Sequence, residues 1–393
     1  MSSAIRLTGA TLVLPDRLIP SGQMVIESGR IVEVSHTLLP GGRDLSGHFI
    51  VPGFIDVHVH GVLGTDALDG AEAIARIAAM LPRFGVTAFC PTSIACPPQT
   101  LKRMLGAIRA AREAAVATSA RVLPAHLESN FINPEFKGAQ PQACIRLPND
   151  VPEGEFSGRQ ILDEILAARA DIGIITVAPE MHGVLDLIPE LVSRGHRVSL
   201  GHSGATYEQA RAGIMAGARH ATHLFNRMTP LNHRAPGLAG AVLESDDIAA
   251  EIICDGVHVH AAAVRAAVAA KGPSKVMAIT DGTAGSGLKP GDRAVIGGRP
   301  ITLRDAAYLD DGTLAGSVLT MDLAFRILVE KMGFTLMDAA QMCATTPARE
   351  LGLHGCGVLA AGAVADFVIL DEELRVVQTY IAGVPHHLSH APQ

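Results

Sequence analysis

Short apolar runs alternate with Ala-rich stretches of helical spacing through the middle of the chain, and this alternation is the main structural signal. β-Branched or apolar runs fall at residues 54–60, 86–92, 121–128, 173–179, 197–202, 220–226, 248–257 and 275–281. Helical periodicity separates them, at 72–83, 99–116, 159–170 and 207–216. Eight strands alternating with helices predict a (β/α)₈ barrel, with a doubly wound open sheet as the competing α/β arrangement. Both ends read differently. Residues 5–14, 23–27, 30–34 and 49–51 predict short strands with Gly22, Gly29 and Gly41-Gly42 at the breaks, and residues 366–370 and 376–381 have the same texture. Neither end is long enough for a core of its own. They are expected to pair as one small β-sandwich domain (1–52 with 346–393) flanking a barrel over 53–345.

Composition adds limits. Of 393 residues, 48% are hydrophobic and 18% charged, which predicts a large folded core. The net charge of −7, without a Lys/Arg block, argues against nucleic acid as the main partner. No apolar run has the length of a membrane span, and Met1 to Pro15 lack the order of a signal peptide. Six cysteines (Cys90, Cys96, Cys144, Cys254, Cys343, Cys356) make no CxxC pair, so reduced thiols and a cytoplasmic location are expected.

The polar residues at the strand ends carry the chemistry. The first strand ends in Asp56-Val57-His58-Val59-His60, the third in His126-Leu127-Glu128 and the fifth in Gly201-His202-Ser203. Thr222-His223 lies on the sixth, Asp255-Gly256-Val257-His258 on the seventh and Thr280-Asp281-Gly282 on the eighth. Each piece alone has an ordinary reading: an incidental HxH, a loop histidine, an aspartate capping a turn. A barrel, however, gathers its strand ends at one rim. Imidazoles and carboxylates gathered there suit Zn²⁺ or Fe²⁺. His58 and His60, two apart on a strand, face the same way, into the barrel.

With these residues in place, the sequence resembles the N-acetylglucosamine-6-phosphate deacetylases of the amidohydrolase superfamily. The resemblance spans nearly the whole chain: Pro52-Gly53-Phe54-Ile55-Asp56, His126-Leu127-Glu128, Asn133-Pro134, Lys137-Gly138-Ala139, Ala178-Pro179-Glu180, Gly201-His202-Ser203, Ala221-Thr222-His223-Leu224-Phe225-Asn226, Pro236-Gly237-Leu238-Ala239-Gly240, Asp255-Gly256-Val257-His258-Val259, Thr280-Asp281 and Leu314-Ala315-Gly316-Ser317. It implies a barrel with a β-domain from both termini, and one or two divalent ions, Zn or Fe, per chain. Glu128, His202 and His223 match the principal metal ligands, His58 and His60 the pair used by some members for a second ion, and Asp281 the catalytic aspartate. Asn226, the backbone beside it and His258 match sugar-phosphate contacts. Arg234 matches an arginine that binds phosphate, in some members across a homodimer interface.

Three positions depart from the family pattern. Ser129-Asn130 replaces Gly-Pro, Arg227 replaces alanine among the substrate contacts, and Gln140 replaces the histidine after Lys-Gly-Ala. Gln140 is expected to act as a hydrogen-bond donor to the acyl carbonyl, with a passive loop residue as the other reading. The departures bear on which sugar and acyl group fit, and N-acetylgalactosamine 6-phosphate is the alternative substrate. Dihydroorotases and hydantoinases bridge two metals with a carbamylated lysine ending the fourth strand, but Ile174-Ile175-Thr176-Val177-Ala178-Pro179-Glu180 has none. A catalytically dead scaffold would have eroded ligands, and here the set is complete.

Overall fold

Strands buried on both faces call for mostly apolar residues, and the eight central runs supply them, with a few buried polar groups among them such as Asp56, His126 and Glu251. In the computed structural model, which describes residues 4–37, 40–149 and 155–386, they form a parallel barrel. Its strands are Phe54–Val59, Val86–Ser93, Ala125–Glu128, Ile172–Val177, Arg197–Leu200, His220–Ala221, Ala249–Ile253 and Val276–Ile279. Each pairs in parallel with the next, as in Ile174↔Arg197 and Ile253↔Ile279. The ring closes where the chain leaving the eighth strand meets the first. There Asp281 N–H donates to the His58 carbonyl at 3.1 Å, and Val59 bridges Gly282. Buried Asp56 staples this seam, accepting from the Thr280 hydroxyl at 2.6 Å.

Local chemistry fixes the surrounding helices. Pro98–Glu113 opens with proline in its first turn and buries Leu101, Met104, Leu105 and Ile108 at helical spacing. Gly158–Ala167 and Tyr207–Met215 start with capping boxes, Ser157 with Gln160 and Thr206 with Gln209.

Three strands differ from the sequence expectation. The third is divided, with Arg121–Val122 ahead of Ala125–Glu128, because Pro124 between them has no N–H to give the ladder. The sixth shrinks to His220–Ala221, since the chain then turns through positive φ at His223, Phe225 and Arg227. The seventh stops at Ile253 and yields to the loop that carries His258. One element was not foreseen: a three-stranded antiparallel sheet, Arg293–Ile296, Arg299–Leu303 and Ala307–Tyr308, inserted after the eighth strand. Its first turn is Gly297-Gly298, both at positive φ, as a tight two-residue hairpin requires.

The chain ends share one eight-stranded sheet. Its path runs from Val384–Pro385 through Val376–Ile381, Phe367–Leu370, Phe49–Pro52, Ile5–Val13 and Leu18–Glu27 to Arg30–Ser35, with Arg43–Asp44 also on Ile5–Val13. It curls over its own core, in which Leu12, Met24, Ile31 and Ile50 meet Phe367 and Ile369. Only Gly53 separates Phe49–Pro52 from the first barrel strand, and buried Asp366 pairs with Arg121, so sheet and barrel are tied at two points.

Candidate active site

Six polar side chains leave the strand ends and meet over the barrel axis, all of them buried: His58, His60, Glu128, His202, His223 and Asp281. Three of them, His202, His223 and Asp281, have φ of 48°, 32° and 48°, a region that residues other than glycine seldom adopt. Each sits where a strand gives way to its loop, and the left-handed turn aims the side chain inward. Strain of this kind gathers at functional sites.

Glu128 is the centre of the cluster. Its Oε1 lies 2.7 Å from His202 Nε2, 2.9 Å from His223 Nε2 and 3.8 Å from His58 Nε2. Its Oε2 is 3.6 Å from His60 Nε2 and also accepts from the Gln140 side-chain amide. Asp281 Oδ1 faces the first-strand pair, 3.2 Å from His60 Nε2 and 3.4 Å from His58 Nε2. Burial acts to raise the Glu128 carboxyl, yet the imidazoles of His202, His223 and His58 hold it well below the usual range. Burial likewise opposes charge on His58, but the Asp281, Glu251 and Glu128 carboxylates push it up to about 10.

Of the six, all but the fully buried His58 open into one cavity. Gly138, Ala139, Gln140, Asn226, Arg227 and His258 line it, with Ile296, Leu314 and Gly316 contributed around the inserted sheet. His258 is held by Asp255, which accepts from its Nδ1 at 2.6 Å and from two loop N–H groups. Gln140 is anchored rather than loose: its Oε1 accepts the Ala95 N–H at 2.7 Å, which turns its NH₂ toward Glu128. Gly138 sits at φ 56°, where a Cβ would come within 2.8 Å of Arg227 Nε, so only glycine leaves that guanidinium its room. Arg227 pairs with no carboxylate among the described residues. Arg234 lies elsewhere, exposed on the loop before Pro236, and it does not line the cavity of its own chain.

Comparison with known proteins agrees with this geometry. Residues 49–385 match the amidohydrolase family. The chain belongs to that family. A *Danio rerio* relative, N-acetylglucosamine-6-phosphate deacetylase, is 37% identical over 86% of this chain and 85% of its own. An *Escherichia coli* O157:H7 relative, N-acetylgalactosamine-6-phosphate deacetylase, is 36% identical over 85% and 86%. The solved *Mycobacterium smegmatis* N-acetyl-D-glucosamine-6-phosphate deacetylase superposes with a TM-score of 0.89 at 32% identity, covering 98% of this chain and 100% of that one.

The donor chemistry of this amidohydrolase fits a divalent ion. His202 Nδ1 lies 2.9 Å from the Phe136 carbonyl, an obligate acceptor, so the proton sits on Nδ1 and the Nε2 lone pair faces a carboxylate oxygen and His223 Nε2 at 3.1 Å. A lone pair directed at a carboxylate oxygen suits a cation between them. Glu128, His202 and His223 form one such group, and His58, His60 and Glu128 another.

Two site residues escaped the sequence reading. Glu251 lies within an apolar strand and accepts from His58 Nδ1 at 3.0 Å; a charge in so buried a run was the available signal. Glu180 stood in a recognised motif without a role. It accepts from Ser203 Oγ at 2.7 Å, Gly204 N–H at 2.6 Å and Asn133 Nδ2 at 3.0 Å, pinning the loop that follows His202.

Proposed function

We infer that this amidohydrolase hydrolyses the N-acetyl group of N-acetylglucosamine 6-phosphate, giving glucosamine 6-phosphate and acetate. The observation that carries the reading is the complete set of Glu128, His202, His223, His60 and Asp281 lining one cavity, with His58 buried directly behind them. Relatives of that name, matched along most of the chain, support it. The test is a deacetylation screen of N-acyl amino sugars with and without the 6-phosphate, before and after treatment with a chelator. Activity indifferent to both phosphate and chelator would reject the reading. The *E. coli* relative makes the galactosamine epimer the second substrate for the same screen.

A zinc or iron ion held by Glu128, His202 and His223, with a second at His58 and His60, supplies Lewis acidity that makes water a stronger acid and the acyl carbonyl a better electrophile. Asp281 accepts the proton of the attacking water and returns it to the departing sugar nitrogen. Its carboxyl is suited to a base: burial would raise it, but His58 and His60 keep it below the usual range and therefore ionised. Gln140 has two N–H bonds; one is given to Glu128, and the other is available to the acyl oxygen as negative charge develops there. Gln140→Ala is then expected to lower kcat on the order of 10²-fold with metal content unchanged. A loss under about threefold, roughly a kcal/mol or less, returns Gln140 to a passive role. Gln140→His then shows whether glutamine weakens the usual site or changes the preferred sugar.

Phosphate is read by arginine. Arg227 lines the cavity within one chain; Arg234, exposed and outside that cavity, would read phosphate in a neighbouring subunit of a homodimer. Arg227→Ala and Arg234→Ala are each expected to raise KM for the phosphorylated sugar by about tenfold or more, with far less change for the unphosphorylated one. The Arg234 effect should vanish once dilution has separated the subunits. Equal effects on both sugars would show that neither arginine reads phosphate. The compartment proposed is the cytoplasm, in keeping with six unpaired thiols, five of them buried. No helix of the described residues is long and apolar enough to cross a membrane.

A further inference from the structure

Glu251 is the middle residue of the seventh barrel strand, Ala249–Ile253. Its side chain is 0% exposed, inside a barrel layer that it shares with His58 and His126. An ionised carboxylate in such a place costs several kcal/mol unless it is used. Its use here is narrow. Oε2 accepts from His58 Nδ1 at 3.0 Å, whereas Oε1 has no hydrogen-bond partner and lies 3.7 Å from His126 Nδ1. That second imidazole is already committed: its Nδ1 is 3.1 Å from the Val57 carbonyl, and its Nε2 meets the Thr176 hydroxyl at 2.8 Å. The carboxylate therefore accepts its one side-chain hydrogen bond from His58.

A carboxylate only accepts, so the bond places a proton on His58 Nδ1 and leaves Nε2 as the nitrogen that an ion can take in exchange for any second proton. That Nε2 faces the centre, 3.2 Å from His60 Nε2, 3.4 Å from Asp281 Oδ1 and 3.8 Å from Glu128 Oε1. We propose that Glu251 is a positioning residue, whose carboxylate fixes the tautomer and ring orientation of His58 so that its Nε2 can bind the second ion. The inference rests on the reading that His58 and His60 hold such an ion. Partners of this kind are typically worth 10- to 100-fold in metal affinity.

The test is a metal titration of the wild type, Glu251→Gln, His58→Ala and the double variant with Zn²⁺ and no substrate. The wild type is expected to bind two ions. Glu251→Gln is expected to weaken the second about 10- to 100-fold and to leave the first, on Glu128, His202 and His223, within about threefold. The double variant is expected to match His58→Ala, because Glu251 acts through that imidazole. Unchanged second-ion affinity in Glu251→Gln overturns the proposal. So does a double variant weaker than His58→Ala, or a wild type that binds one ion whether or not His58 is present. If Glu251→Gln does not fold, ¹⁵N imidazole shifts of the wild-type apoprotein decide: a His58 without a proton on Nδ1 is the overturning result. Turnover of the phosphorylated sugar is measured on the same wild-type sample. A metal result as expected without turnover rejects the proposed substrate while leaving the role of Glu251 standing.

Discussion

Asp281→Asn is expected to leave the bound metal nearly unchanged and to lower kcat by at least ~10²-fold. The two shapes are almost identical, so the seam survives, because it is made by the backbone: Asp281 N–H on the His58 carbonyl and Ser317 N–H on the Asp281 carbonyl. What is lost is a base. An amide cannot take a proton from water, and its NH₂ would be turned on His58 Nε2 and His60 Nε2 where an acceptor had been. KM should change little, since proton transfer belongs to the chemical step. Near wild-type turnover would remove Asp281 from the mechanism.

Glu128→Ala is expected to abolish metal content and activity together, a larger loss than that of Asp281→Asn. Glu128 is the carboxylate common to the two ligand groups, reaching His202 and His223 with one oxygen and His60 and Gln140 with the other. Without it, His202 and His223 lose the carboxylate they share, and Asp281 is left as the anion facing His58 and His60. The measurement is the metal content of purified protein at micromolar free ion. Full occupancy in the variant would show that the imidazoles suffice and that Glu128 is not a ligand. Loss of activity with retained metal would assign it to catalysis instead.

The barrel was legible because its strands are buried on both faces and read as mostly apolar runs, and the centre was legible because those runs end in polar residues. What the sequence did not reveal depends on distant partners. Glu251 looks like a misplaced charge until His58, 193 positions earlier, is brought beside it. The inserted sheet has strands of two to five residues, too short for alternation to stand out, although Gly297-Gly298 marked its turn. Gln140 was expected to address the substrate; its anchoring to Ala95 and Glu128 depends on a backbone N–H that no motif displays. The sixth strand was read too long because Thr222-His223-Leu224-Phe225 is apolar enough for a strand, while the positive φ of His223 is imposed by the rim.

The terminal sheet also bears on how the molecule is made. Phe49–Pro52 hydrogen-bonds on one side to Ile5–Val13, which leaves the ribosome before it, and on the other to Phe367–Leu370, which leaves long after it. For most of synthesis the nascent chain therefore carries an open apolar strand edge, the kind of surface that recruits other chains. A product cut short anywhere before residue 367 keeps that edge for good. The barrel behaves alike, since its first strand waits for the eighth to supply Asp281 and close the ring. The cluster of Glu128, His202, His223, His58, His60 and Asp281 is therefore complete only after the eighth strand has been made, and the strand edge laid down first is the one left open longest.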